Sequence, residues 1–562
     1  MPPWLPSHGY GDFAGERRLT DAQIATIRQW QEQGAQEGDP ADLPPVPRFT
    51  EGWQLGNPDL VVTLQKPYTV PAGTTDIWRN FVMPIAVSTG HYVKTVELRP
   101  GNAKVVHHAL MAVDATRASL RRDERDPEQG FEGMDMGDAQ APDGHLLGWT
   151  PGMLPVQGVE GSGWLLRPGT DLVLQLHLMP SRQPRAVQPS VGFYFDTTPP
   201  AGPPMVLMRL DADQALDIPP GEKNFIVTDT FKLPVDVDVL VVYPHAHFLA
   251  KTMEGRARLP DSTERWLIRI DDWDFKWQDV YRYATPISLP KGTTISMRFG
   301  FDNSADNPRN PADPPQRVTA GFRSSDEMAH LQLQVAARTT QDVTLLKEAL
   351  ARHQIEKNPG DAWAYYDLAN LRRDKDEVTE AIALYRTALR LAPDHAAAHN
   401  NLGVLLADQG QLEQAIDQYR QALRAEPDSA DASFNLGNAL SAQGRLGEAI
   451  AWYRKALRLE PSMADAHVNL GRAFAAQGRV QEAVAQFREG VRLDPGSAEA
   501  HNNLGAALGS LGQLDEAVSQ FRRTLEIDPT HARARDNLRV ALQKVGSGPA
   551  GNRRPAKPRG GR

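Results

Sequence analysis

Residues 401–427, NLGVLLADQGQLEQAIDQYRQALRAEP, hold the pattern that decides the fold of the C-terminal part of the chain. Gly403 is followed by Ala415 and Tyr419, four apart and so on one helical face, and the stretch ends at Pro427. Reading outward, the proline returns every 34 residues as Pro359, Pro393, Pro427, Pro461, Pro495 and Pro529. The glycine keeps that step at Gly437, Gly471 and Gly505. The alanine–aromatic pair keeps it at Ala381/Tyr385, Ala449/Tyr453, Ala483/Phe487 and Ala517/Phe521. Small residues stand where helices would touch, an aromatic knob fills the space between them, and proline, which lacks an amide hydrogen, ends the second helix of each period. The spacing predicts an all-α solenoid over residues 350–545, with five repeats and a closing helix from about residue 530, then a disordered basic tail over 546–562.

This two-helix, 34-residue period is the pattern of the tetratricopeptide repeat. Asn401, Asn435, Asn469 and Asn503 recur with it, each just before Leu-Gly. In similar superhelices such asparagines form a ladder on the concave face that binds peptide backbone, which implies a protein or peptide partner. Capping or bracing of helix packing is the other reading. No Lys/Arg cluster recurs beside the asparagines, so an acidic C-terminal peptide is not indicated.

Residues 51–345 have a different texture. Val235-Asp-Val-Asp-Val-Leu-Val-Val-Tyr243 and Asp171-Leu-Val-Leu-Gln-Leu-His177 alternate in polarity and are bounded by Pro and Gly, which predicts strands of sandwiches or barrels rather than βαβ units. The Pro199–Pro204 segment divides the region into two β domains, 51–200 and 201–345. In residues 1–50, Thr20-Asp-Ala-Gln23 reads as a capping box opening a helix with Ile24, Ile27 and Trp30 on one face, and a proline-rich linker runs from Pro40 to Pro47.

Six histidines and one methionine stand out within residues 107–328: His107, His108, His145, His177, His245, His247 and Met328. In a strand, His245 and His247 project to one face about 6–7 Å apart, a natural bite for one ion. His177 lies opposite the leucines of its strand. His107 and His108 would point to opposite faces of a regular strand, so both reach one ion only at a bulge, at a strand end or from nearly opposite sides. Imidazoles and a thioether without any cysteine suit copper cycling between Cu(I) and Cu(II). His330 shares a face with Met328 and is a second-sphere group or a rival ligand; His145 is a further rival.

Val106-His107-His108, Leu174-Gln175-Leu176-His177, His245-Ala-His247 and Asp326-Glu327-Met328, in this order, resemble the copper type II, ascorbate-dependent monooxygenases, which include peptidylglycine α-hydroxylating and dopamine β-monooxygenases. Leu147-Gly-Trp-Thr-Pro-Gly152 and the stretch from Phe301-Asp-Asn-Ser304 to Gly321 are similar to bacterial members, and the likeness spans about residues 60–340. It implies two jelly-roll β domains facing a cleft, each holding one copper. His107, His108 and His177 would bind the electron-transfer copper. His245, His247 and Met328 would bind the copper that activates dioxygen and would form the catalytic set. The implied reaction inserts one oxygen atom into a substrate C–H bond, with single electrons from an ascorbate-like donor or a cytochrome. Peptide-processing members carry arginine two residues before H-x-H, where this chain has Tyr243, which argues against a glycine-extended peptide as the small-molecule substrate.

Met1-Pro-Pro-Trp4, Arg17-Arg18-Leu-Thr-Asp21 and the helix to Gly34-Ala35 resemble the end of a small c-type cytochrome, in which the Met of such a segment is the axial haem ligand. With no cysteine, the chain itself cannot attach haem covalently. Either the start lies within a longer reading frame, with Cys-x-x-Cys-His and a secretion signal encoded upstream, or the cytochrome has decayed and residues 1–35 pack loosely on the first β domain. A secreted product would be periplasmic or extracellular. A net charge of −9 points to no nucleic-acid partner, and no apolar run is long enough for a transmembrane helix. Two other functions stay open: a repeat scaffold with a vestigial copper region, and a zinc hydrolase built on H-x-H with a nearby carboxylate base.

Overall fold

The computed structural model describes residues 4–546 apart from Arg17, 40–51, 74–75, 134–135, 137–138, Leu146, Gly152, Leu154, 156–157, 159–160, Ser162 and Phe322. The expected proline-rich linker, the Met1-Pro2-Pro3 segment and the basic tail beyond Gly546 lie outside the described residues. The chain divides into two compact units, Met1–Asn358 and Pro359–Arg562.

The first unit is rich in sheet. In its first lobe, the strands Leu60–Thr63, Ser190–Asp196, His91–Arg99 and Trp164–Leu166 lie side by side in that order. They share one core with a sheet ordered Phe131–Glu132, Ile77–Pro84, Asp171–Leu178, Val106–Asp114 and Gly148–Trp149. Asp171–Leu178 shows why. Leu172, Leu174, Leu176 and Leu178 all face that core, each burial contributing roughly 1.5–3 kcal/mol. Val173, Gln175 and His177 face the other way and are buried too. Gln175 is satisfied there by donating to Asn80 Oδ1 at 2.9 Å.

The second lobe pairs Val206–Asp211, His330–Ala337, Val237–His245 and Tyr281–Leu289 in one sheet with Phe225–Lys232, Thr294–Phe301, Ala250–Arg258 and Glu264–Ile270 in the other. Phe225–Lys232 alternates buried and exposed residues, as a sheet with one wet face must. Val237–His245 is buried almost throughout, because both of its faces are covered.

Residues 4–14 run along the open edges of this second lobe. Ser7 N–H donates to the Arg269 carbonyl at 2.7 Å and Ala14 N–H to the Arg282 carbonyl at 2.8 Å, while Phe13 is buried against Tyr283. The segment docks on the second lobe, not on the first β domain as the decayed-cytochrome alternative has it, because the edge strands Glu264–Ile270 and Tyr281–Leu289 offer unpaired backbone groups. The capping box at Thr20 forms, with Gln23 N–H donating to Thr20 Oγ1 at 3.2 Å and Thr20 N–H to Gln23 Oε1 at 2.8 Å. The helix it opens, Asp21–Glu32, buries no residue, and Ile27 and Trp30 are 49% and 51% exposed. The helix Thr340–Lys357 also belongs to this unit. Val343 and Leu346 join the second lobe's core, and Lys357 Nζ lies 2.8 Å from Asp229.

Among the described residues the second unit is all helical: five helix pairs from Ala362–Asp374/Val378–Leu391 to Ala498–Ser510/Leu514–Ile527, closed by Ala532–Gly546. A Cβ on Gly403, Gly437, Gly471 or Gly505 would stand 2.6–2.7 Å from the ring of Tyr419, Tyr453, Phe487 or Phe521. That close approach is the reason for the 34-residue glycine. Because each helix packs chiefly on its chain neighbours, a fragment of residues 359–546 is expected to fold alone. Circular dichroism should show a helical spectrum and a cooperative melt without any metal; a random-coil spectrum would contradict it.

Candidate metal centre

Five histidines converge in the first unit. The register of Val106–Asp114 against Asp171–Leu178 slips between Val106 and His108, so His107 stands in a bulge and His108 lies directly opposite His177. The bulge removes the alternation that would otherwise point His107 and His108 to opposite faces. One ring nitrogen from each of His107, His108 and His177 lies within 4.8 Å of the other two, and all three side chains are buried. His107 Nδ1 and His108 Nδ1 are 3.0 Å apart. Trp78, opposite His177 on the other neighbouring strand, stacks on that ring at 4.2 Å with planes 8° apart.

Burial first, and then the neighbouring His177, hold His107 down to about 3 and His108 well below the usual imidazole value of 6.5. Both are therefore neutral at pH 7, with lone pairs available to a cation. Both ring nitrogens of His177 are buried without a hydrogen-bond partner; Nε2 lies 3.2 Å from Asp76 Oδ2, outside hydrogen-bonding geometry. Leaving such groups unsatisfied costs roughly 1–3 kcal/mol each. Three buried imidazoles, two of them held neutral by burial and the third with both ring nitrogens unsatisfied, fit a copper or zinc ion.

The second set lies across from the first. His245 ends its strand and His247 follows in the turn, their rings 5.4 Å apart. His245 Nδ1 is 2.6 Å from Gln278 Oε1, and His247 Nδ1 is 3.0 Å from the Asp326 carbonyl. With Nδ1–H donating to those acceptors, Nε2 of each ring is left to bind a metal. Met328 is buried. Its backbone is tied to the H-x-H turn by Glu327, whose fully buried carboxylate accepts the N–H of His247 at 2.9 Å, Leu249 at 2.7 Å and Met328 at 3.1 Å. Burial pushes Glu327 up to about 8 against the pull of those amides.

His330 pairs with His245 across the sheet, but its Nε2 is 2.6 Å from Asp213 Oδ2, which leaves only Nδ1 to a metal. His145 lines a separate cavity and is not part of the three-histidine group. The cleft implied by the family resemblance is closed. The rings of His108 and His245 are 6.2 Å apart, and Phe275 stacks on His107 at 4.5 Å and meets His247 edge-on at 5.4 Å. Trp78, Phe275, Gln278 and Asp76 carry no local signal of a site, since strand register and lobe packing bring them there; Glu327 lies within the Asp-Glu-Met motif.

In the repeats, Asn401 Nδ2 donates to Asn370 Oδ1 at 3.1 Å, Asn435 to Asn400 at 3.0 Å and Asn469 to Asn438 at 2.9 Å. Asn503 Nδ2 is buried with no hydrogen-bond partner. The family model of the tetratricopeptide repeat matches residues 343–396, 366–423, 401–464, 454–498 and 468–532. The C-terminal region carries tetratricopeptide repeats. YrrB, a tetratricopeptide protein with an unusual peptide-binding site, is 28% identical over 33% of this chain and 96% of its own, with a TM-score of 0.31. MamA is 27% identical over 31% of this chain and 94% of its own, at 0.28. PilF of Pseudomonas aeruginosa is 19% identical over 35% of this chain and 89% of its own, at 0.33. No curated protein matches the chain.

Asn401, Asn435 and Asn469 thus each bond to an asparagine of the preceding repeat, and Asn503 does not. Asn435→Ala with Asn469→Ala removes two such bonds, each worth about 0.5–1.5 kcal/mol. The double variant is expected to melt several degrees below the wild type. An unchanged melting temperature would assign the ladder to ligand contact alone.

Proposed function

We propose that the first unit binds copper at two histidine sets and works as a copper-dependent monooxygenase-like oxidoreductase outside the cytoplasm, with the tetratricopeptide region engaging a protein or peptide partner. The observation that carries the reading is the bulge at His107, which gathers His107, His108 and His177 into one buried three-imidazole group. The strand orders, a four-stranded antiparallel sheet facing a five-stranded one in the first lobe and four strands facing four in the second, support the jelly-roll reading of both lobes. Copper, when bound, supplies one-electron redox chemistry with dioxygen; the reaction class takes a C–H bond, O₂, two electrons and two protons to an alcohol and water.

The chain's own residues prepare that chemistry. Gln278 and the Asp326 carbonyl orient His245 and His247 by their Nδ1 atoms. Glu327 holds the Met328 segment against the H-x-H turn. Phe275 packs between the sets, against His107 and His247, and Trp78 covers the His177 ring. The thioether of Met328 favours Cu(I) at the catalytic set of His245, His247 and Met328.

The repeat match supports the rival reading more directly than the enzyme: a tetratricopeptide interaction scaffold whose histidine region is vestigial. For a zinc hydrolase on H-x-H, Glu327 is a poor base, because both its oxygens already accept backbone N–H groups. Metal analysis of the purified full chain separates the three: about two coppers per chain for the enzyme, one or none for the scaffold, zinc for the hydrolase.

A further inference from the structure

The first unit contains a second built feature, a cavity of about 410 Å³. Its walls are largely apolar, with Trp149, Trp164, Met205, Val241 and Val280 among them. Arg282 also lines it, placed opposite Val241 by strand pairing. The Nε of Arg282 is buried without a hydrogen-bond partner, and among the described residues no carboxylate lies within 4.0 Å of its guanidinium. Arg282 is partly buried, whereas the buried arginines Arg79 and Arg372 obey the usual rule: Arg79 meets Asp126 at 2.8 Å, and Arg372 meets Glu377 at 2.9 Å. Burial, with nothing opposing it, pushes the Arg282 pKa down.

Glu97 is the one acidic residue among the described lining, and it is already engaged. Its carboxylate accepts the N–H groups of Gln54 and Leu55 and the hydroxyl of Tyr194. Lys94 and Arg99 add further positive charge to the lining. We propose that this cavity binds a small amphipathic carboxylate, its headgroup on Arg282 and its apolar body against Trp149, Trp164 and Met205. A guanidinium pairs a carboxylate through two parallel N–H···O bonds, and the volume lies within the roughly 300–1,000 Å³ of small-ligand pockets. Inorganic anions would leave the apolar walls wet. Val241 precedes His245 by four residues on one strand face, roughly 13 Å away, so the cavity is distinct from the histidine sets. The inference goes beyond the copper reading and does not depend on it.

Calorimetric titration of the metal-free full chain with decanoate, decanol and decylamine tests it. Decanoate should bind saturably and at least about tenfold more tightly than decanol, with decylamine weakest. Arg282→Gln should lose that preference, and without ligand it should melt no lower than the wild type, because an uncompensated cation has been removed. Val241→Trp, which fills the cavity and keeps Arg282, should abolish binding of both decanoate and decanol. Equal binding of acid and alcohol, no saturable decanoate binding, or an Arg282→Gln variant that keeps the preference would each overturn the proposal. Should Arg282→Gln fail to fold, the acid–alcohol comparison on the wild type decides alone.

Discussion

His177→Ala is expected to lower bound copper from about two ions per chain to about one and to abolish electron transfer from an ascorbate-like donor. His177 stands directly opposite His108 and is the one member of its group that comes from another strand. Without it, His107 and His108 keep two adjacent imidazoles, too few to retain an ion against a chelator. The fold should survive, because His177 lies on the face away from the leucine core; alanine leaves a gap beneath Trp78 rather than in that core. The other set should stay loaded, since Gln278 and the Asp326 carbonyl orient His245 and His247 independently of His177. Elemental analysis and electron paramagnetic resonance of the purified variant check this, and copper content equal to wild type would remove His177 from the ligand set.

Met328→Ile should leave the protein folded but cut ascorbate-driven oxygen consumption by more than the roughly 10–100-fold that loss of an outer-sphere partner costs. The side chain is buried, and exchange for an aliphatic group of similar volume usually costs less than about 1.5 kcal/mol, so unfolding is not the expected outcome. What the variant loses is the sulfur, and with it the donor that favours Cu(I) at His245 and His247. The backbone bond from Met328 N–H to Glu327 is unaffected, so the H-x-H turn keeps its anchor. Oxygen uptake at the wild-type rate with full copper loading would make Met328 a packing residue and favour the scaffold reading.

Much of the molecule is legible along the chain, for reasons that differ by region. The solenoid follows from short-range rules. Gly403 must be small because Tyr419 packs onto it, Pro427 must follow the second helix, and the same contacts recur one period later. The β region shows strands but not their partners. That His107 sits in a bulge, that Trp78 stacks on His177 and that Phe275 lies between His107 and His247 depend on register between strands far apart in sequence.

The N-terminal segment shows the same limit. The capping box at Thr20 is a local motif and forms as read, whereas the docking of Phe13 depends on two open sheet edges formed some 250 residues later in the chain. By itself, then, the sequence determined the repeat architecture and the donor chemistry of the histidines and Met328, because both are properties of residues and their near neighbours. Only the tertiary structure decided that the two histidine sets lie close together, with the rings of His108 and His245 6.2 Å apart, and that Asn401, Asn435 and Asn469 bond to the preceding repeat, because those outcomes depend on how distant surfaces pack.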